Sequence, residues 1–287
     1  MRKPILRALS IAAVITFGIG CGARDEAPLA EPSTEDAGAF VDQTQPGPGL
    51  GKIWSVIEKE RERLRNVTGR EGILAEERRY SLFDEELLIR DFFQDRRGGF
   101  FLDVGCEWPV RSSNTYYLEK HLGWKGIGID ALAEYGPGWK SERPNSRFFS
   151  YLVTDQSGTK ETFFKSPNPG LSSTNRKMAS GRIFGDDLEP EEVQIYTITL
   201  NDLLDREGVT KIDLLSMDIE GHEPKALAGF DIERFQPELV VTERSVVHKK
   251  GDGKGKVYRY FERHGYELIE EYLPFDKTNH YFKRKEF

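Results

Sequence analysis

Cysteine is nearly absent: the 287 residues hold only Cys21 and Cys106. That excludes a disulfide framework and a four-cysteine zinc site. A basic excess is missing too, with 41 Lys and Arg against 48 Asp and Glu and a net charge of −7. Such a balance argues against a dedicated nucleic-acid binder. The chain has five histidines, and no metal site is expected from its ligand patterns. What the chain does contain is core material: 38% hydrophobic residues, 18 Phe, 11 Tyr and 4 Trp. Wholesale disorder is thereby excluded.

Arg2, Lys3 and Arg7 precede an apolar run of thirteen residues, Ala8–Gly20, that ends at Cys21. The run is shorter than the ~20 residues of a spanning helix but suits a signal-peptide core. Gly18-Ile19-Gly20-Cys21 resembles a bacterial lipoprotein cleavage box with Gly18 in place of a bulky aliphatic residue. Residues 1–21 therefore read as a signal or lipoprotein-type segment, or alternatively as an uncleaved anchor, and attachment to a membrane through the N-terminus is expected. Residues 22–51, rich in Ala, Glu, Gly and Pro, form a flexible tether. A helical lead-in over 52–75 follows, with Ile53, Val56, Ile57 and Leu64 on one side of Lys52–Asn66.

From 76 to 287 apolar runs alternate with helical segments. Strands are expected at Phe100–Val104, Gly126–Asp130, Arg147–Val153, Ile212–Asp218, Leu239–Glu243, Tyr266–Ile269 and His280–Lys283. Helices are expected at Ser81–Gln94, Thr115–His121, Leu200–Glu207, Pro224–Ala228 and Val257–His264. This alternation predicts an α/β fold with a mainly parallel sheet, its faces covered by helices, and ligands bound beyond the carboxyl ends of the strands.

Two strand ends carry chemistry. The first expected strand finishes in Asp103-Val104-Gly105 and the second in Asp130, 25 residues after Gly105. A glycine lets the backbone approach a ligand, and an acid after the second strand is able to accept both ribose hydroxyls. A glycine turn with a loop-capping Asp is the competing reading. The loop Gly105-Cys106-Glu107-Trp108-Pro109 lacks the glycines a dinucleotide pyrophosphate requires. A nucleoside without phosphates, S-adenosylmethionine foremost, fits better. The fourth strand runs into Asp218-Ile219-Glu220-Gly221-His222-Glu223. Strand alternation through Glu220 would put Asp218 and Glu220 on one side. These groups would orient a hydroxyl and remove its proton, with His222 suited by its pKa. Alternatively, Asp218 and Glu220 cap the next helix.

These blocks together resemble the FkbM family of methyltransferases. The matching stretches are Gly99–Gly105, Ser113–Glu119, Gly123–Asp130, Thr197–Leu204, Ile212–Glu223 and Phe235–Glu243. The resemblance covers about residues 75–285 and implies a class I, Rossmann-like fold with a seven-stranded, mostly parallel sheet whose last strand runs antiparallel. It also implies methyl transfer from S-adenosylmethionine, typically to a hydroxyl of a sugar, glycolipid or other small molecule. Carried over by residue, Asp103, Gly105, Cys106, Asn114 and Asp130 hold the cofactor, and Asp218, Glu220 and His222 serve catalysis. The loop Cys106–Pro109 departs from the Ala-Asn-x-Gly of many members. Because the cofactor is cytosolic while the N-terminus predicts export, a silent fold used as a glycan- or ligand-binding module is the alternative.

Overall fold

A computed structural model describes residues 51–244 and 255–285. The expected signal segment with Cys21 and the expected tether up to position 50 lie outside the described residues, as do residues 245–254.

The first helix, α1 (Gly51–Arg65), buries Ile53 and Leu64, and α2 (Glu85–Phe93) buries Leu87, Leu88 and Ile89. The expected start of α2 at Ser81 is four residues early. The Ser81 hydroxyl accepts from the Glu86 amide and the Glu85 carboxylate from the Phe83 amide, so local side chains satisfy this stretch without a helix. Then come β1 (Phe100–Val104), α3 (Tyr116–Leu122), β2 (Lys125–Asp130), α4 (Gly136–Glu142) and β3 (Ser146–Ser150). They are followed by β4 (Leu152–Val153), β5 (Lys160–Lys165), α5 (Arg176–Ala179), β6 (Glu191–Ile198) and α6 (Leu200–Arg206). The remainder is β7 (Leu214–Met217), α7 (Glu223–Ala228), α8 (Ile232–Phe235), β8 (Leu239–Glu243), α9 (Lys256–Arg263), β9 (Tyr266–Leu268) and β10 (Asn279–Arg284).

Seven strands form one sheet in the order β3-β2-β1-β7-β8-β10-β9. Pairing is parallel from β3 to β8, and β10 runs antiparallel to both neighbours. Period-two alternation divides the side chains between two cores. Leu102, Ile127, Leu215 and Val240 pack with Leu203 of α6 and Phe261 of α9 on one face. Phe101, Leu214, Leu239 and Tyr281 pack with Leu88 of α2 and Leu118 of α3 on the other. This is the class I, doubly covered α/β architecture, and its strand order reverses at β1 and β7. The crevice beyond their carboxyl ends is where such a sheet binds ligands.

The single strand expected at Arg147–Val153 is two. At Tyr151 the amide turns to the Asp130 carbonyl (2.9 Å), so β3 pairs with β2, while β4 joins a three-stranded sheet in the order β4-β6-β5. The β5–β6 hairpin falls in a stretch with no continuous apolar run, because most of its residues are partly or fully open to water. Helix α4 opens Gly136-Pro137-Gly138, a loop signature in sequence; its fully buried Trp139 anchors it instead.

Candidate functional site

Three strand ends meet in the crevice. The Gly105 amide donates to the Ile129 carbonyl (2.8 Å), and the Asp218 amide donates to the Val104 carbonyl (3.0 Å). Gly105 has φ +80, and a Cβ there would stand 1.8 Å from the Asp218 carbonyl oxygen. Only glycine fits, so the β1 and β7 loops close on each other.

Asp130 ends β2 with both carboxylate oxygens held, Oδ1 by the Leu132 amide (2.8 Å) and Oδ2 by the Glu107 amide (3.2 Å). Burial raises its pKa to about 6 against these bonds. Beneath lie Cys106, Ala131, Leu132, Tyr135 and Trp139, an apolar cluster. The Cys106 thiol is buried in that cluster, which pushes its pKa well up and leaves it an unreactive packing group. The Tyr135 hydroxyl is buried without a hydrogen-bond partner. Asp103 is buried as well and accepts from the Thr115 hydroxyl at 2.7 Å, while the Asn114 amide donates to Ser216 Oγ (3.2 Å). Both residues brace the β1–β7 junction from the α3 side.

The strand β7 ends at Met217, so alternation does not extend to Glu220. A left-handed turn at Glu220 (φ 53) and Gly221 (φ 89) nonetheless keeps the Glu220 carboxylate near Asp218, Glu223 and Glu243. The Asp218 carboxylate accepts a backbone hydrogen bond from Glu220, but it is not the main organiser of the following turn. Glu223 is, its Oε1 accepting from the Ile219 (3.1 Å) and Gly221 (3.2 Å) amides. Water reaches Asp218 from the crevice, yet protein surrounds it on the other sides. That crowding, with Glu223 beside it, raises its pKa to about 7. Burial likewise raises Glu243, at the end of β8, with Asp218 and Glu223 adding to the effect. Asp218, Glu223 and Glu243 each bring a carboxylate oxygen within 4.8 Å of the others.

His222 stands apart from this acidic group. It is buried, its Nδ1 lies 3.0 Å from Thr174 Oγ1, and its Nε2 has no partner. Burial lowers its pKa, and Lys225 lowers it further. Ser173 Oγ donates to the Glu220 carbonyl (3.1 Å), so residues 173–174 lie across the Asp218–Glu223 loop.

Glu107, Glu223 and Glu243 were not singled out from sequence as site residues. Glu107 had a legible signal, an acid where the family pattern carries a small or polar residue. It takes a left-handed φ of 42, and burial, reinforced by Asp130, raises its pKa to about 8. Trp124 and Tyr116 are buried in the core.

Comparison with known proteins now bears on this crevice. The family described as "Methyltransferase FkbM domain" matches residues 103–268. The 31-O-demethyl-FK506 methyltransferase FkbM of Streptomyces tacrolimicus is 23% identical over 222 residues, 67% of this chain and 82% of that protein. Among solved structures, a TehB-like SAM-dependent methyltransferase from Corynebacterium glutamicum is 17% identical, covering 80% of this chain and 99% of that one (TM-score 0.40). The 1,6-didemethyltoxoflavin-N1-methyltransferase of Burkholderia thailandensis, solved with S-adenosylhomocysteine, is 12% identical over 90% and 100% (TM-score 0.36). The family match spans more than half of the chain and runs from Asp103 through the Asp218–Glu223 loop, and by it the chain belongs to the FkbM family of S-adenosylmethionine-dependent methyltransferases.

Proposed function

We propose that the chain methylates a hydroxyl oxygen of a sugar, glycolipid or related small molecule, with Asp218 as the group that takes the proton. The observation that carries this reading is the position of Asp218. It is open to the crevice, it adjoins the Gly105 junction, and its pKa of about 7 lets it accept a proton near neutrality.

The residues around the crevice fit S-adenosylmethionine. Asp130 presents a carboxylate at the end of β2, suited to a pair of ribose hydroxyls. Ala131 and Leu132 offer an apolar surface for a base, and the unpartnered Tyr135 hydroxyl leaves a donor unused beside them. Gly105 gives close backbone access, and Asp103 and Asn114 hold the loop around it. When bound, the cofactor supplies a methyl group on a positively charged sulfur.

The protein's own task is alignment and one proton. Asp218 orients the acceptor hydroxyl and receives its proton. Burial and the like charge of Glu223 keep that carboxylate basic. His222, neutral because burial disfavours its charged form, holds the Thr174 segment against the loop. The basic start of the chain and its apolar run support attachment to a membrane.

Calorimetric titration of S-adenosylmethionine is the first test, with Asp130→Ala as control: micromolar binding that the substitution weakens is expected. Methyl-labelled cofactor incubated with a glycolipid extract should then give label in base-stable ethers. Asp218→Asn should abolish that label with cofactor affinity retained. Label found only in esters or amines, or full turnover by Asp218→Asn, overturns the assignment.

A further inference from the structure

We infer that Arg143 and Trp139 are positioning residues for cofactor binding: from α4 and its C-terminal cap they clasp the loop between β1 and α3 at both ends. The inference rests on the methyltransferase reading of that loop. Its starting point is a shape the loop does not favour by itself. Glu107 sits at φ 42, a left-handed conformation that non-glycine residues adopt at a cost. A backbone held there needs contacts that over-determine it, and α4 supplies them.

Trp139, 1% exposed, donates from Nε1 to the Glu107 carbonyl at 2.8 Å, on the residue whose amide binds Asp130. Arg143, with no exposed surface, donates from Nη1 to the Pro109 carbonyl (2.9 Å) and Ser113 Oγ (3.3 Å). Its Nη2 donates to Thr115 Oγ1 (3.0 Å), the hydroxyl that in turn donates to Asp103. Its Nε donates to Glu119 of α3 at 2.7 Å, which neutralises the buried cation. One planar guanidinium thus spans the exit of the loop, the start of α3 and the middle of α3. A lysine, with a single point of charge, cannot reproduce that fork. The indole of Trp139 lies over the guanidinium at 4.3 Å, so the two residues also hold each other. Neither side chain needs to touch the cofactor. Their effect runs through the Glu107 amide on Asp130 and through Thr115 on Asp103.

The test uses the full chain carrying Trp139→Phe, Thr115→Val or Arg143→Lys, with the exposed Arg147→Ala as a surface control. The readouts are calorimetric affinity for S-adenosylmethionine and amide hydrogen exchange over residues 106–114 without cofactor. Folded Trp139→Phe and Thr115→Val should bind about tenfold more weakly, the worth of one buried hydrogen bond. Exchange of the loop should quicken in both, and Arg147→Ala should change neither. A merely structural role would lower the melting temperature and leave the affinity of folded protein unmoved. Should Arg143→Lys fail to fold, the other two variants decide. Binding within about twofold of wild type together with unchanged loop exchange in those two overturns the inference. If the wild-type chain binds no S-adenosylmethionine, the methyltransferase reading falls, whereas the exchange comparison still judges the clasp.

Discussion

Single positions in this crevice are constrained by contact rather than by charge alone, and Gly105 is the sharpest case. Alanine there would push a methyl into the Asp218 carbonyl and hold a left-handed φ. We expect Gly105→Ala to lose ~2–4 kcal/mol of stability, from overpacking plus backbone strain, and all measurable cofactor binding. Chemical denaturation and calorimetry check both; a variant as stable as wild type would show that the two loops part easily. At this scale position was legible in the sequence: Gly105, Asp130 and Asp218 stand at the ends of β1, β2 and β7, where the apolar runs placed them. Contacts were not legible: the Asp103 carboxylate accepts from Thr115, and the Cys106 thiol packs into an apolar cluster. Strand position is legible in a sequence, whereas the partner of a side chain depends on contacts made across the fold. Arg143 illustrates this limit, since nothing in Glu142-Arg143-Pro144 signals that its guanidinium reaches four residues of another segment.

Elements with long apolar runs were legible, as were the helices α7 and α9, whereas α4 and the β5–β6 pair were not. Phe100–Val104 and Leu239–Glu243 coincide with β1 and β8, since strands buried on both faces are apolar throughout. The β5–β6 hairpin and α4 lack that pattern and owe their form to tertiary contacts. The segment from Ser166 to Pro190 is of the second kind. It is attached to the β7 loop through Ser173 and Thr174. Removing those two hydrogen bonds with Ser173→Ala and Thr174→Val should open it locally. Trypsin cleavage at Arg176, Lys177 or Arg182 should then accelerate about tenfold, the worth of ~1.4 kcal/mol, with little change in the global melt. An unchanged cleavage rate would show that other contacts hold the segment down.

At the scale of the whole molecule, buried carboxyls decide how stability responds to pH. Burial raises Glu85 and Glu107 to about 8, Glu86 and Asp218 to about 7, and Asp130 to about 6. Each holds its proton longer in the folded chain than in the unfolded one. Their stabilisation is complete below the ordinary carboxyl range and is lost as pH rises through the folded values. Three histidines act in the opposite direction: burial lowers His121, His222 and His280, the last to about 4, so stability is lost as pH falls below the ordinary 6.5. Five raised carboxyls outnumber three lowered histidines, so the melting temperature of the cofactor-free protein should decline along one long alkaline limb from pH ~5 to pH ~8.5. A flat or rising profile across that alkaline limb would show that the crevice carboxyls ionise freely. The strand order carries a further consequence for synthesis. β10 pairs with β8 on one side and β9 on the other, yet it is made after both. Until residue 284 has left the ribosome, the nascent chain keeps two unpaired strand edges apart with nothing to join them. The sheet thus cannot close until its tenth strand is made, and until then the facing edges of β8 and β9 stay open to mispairing.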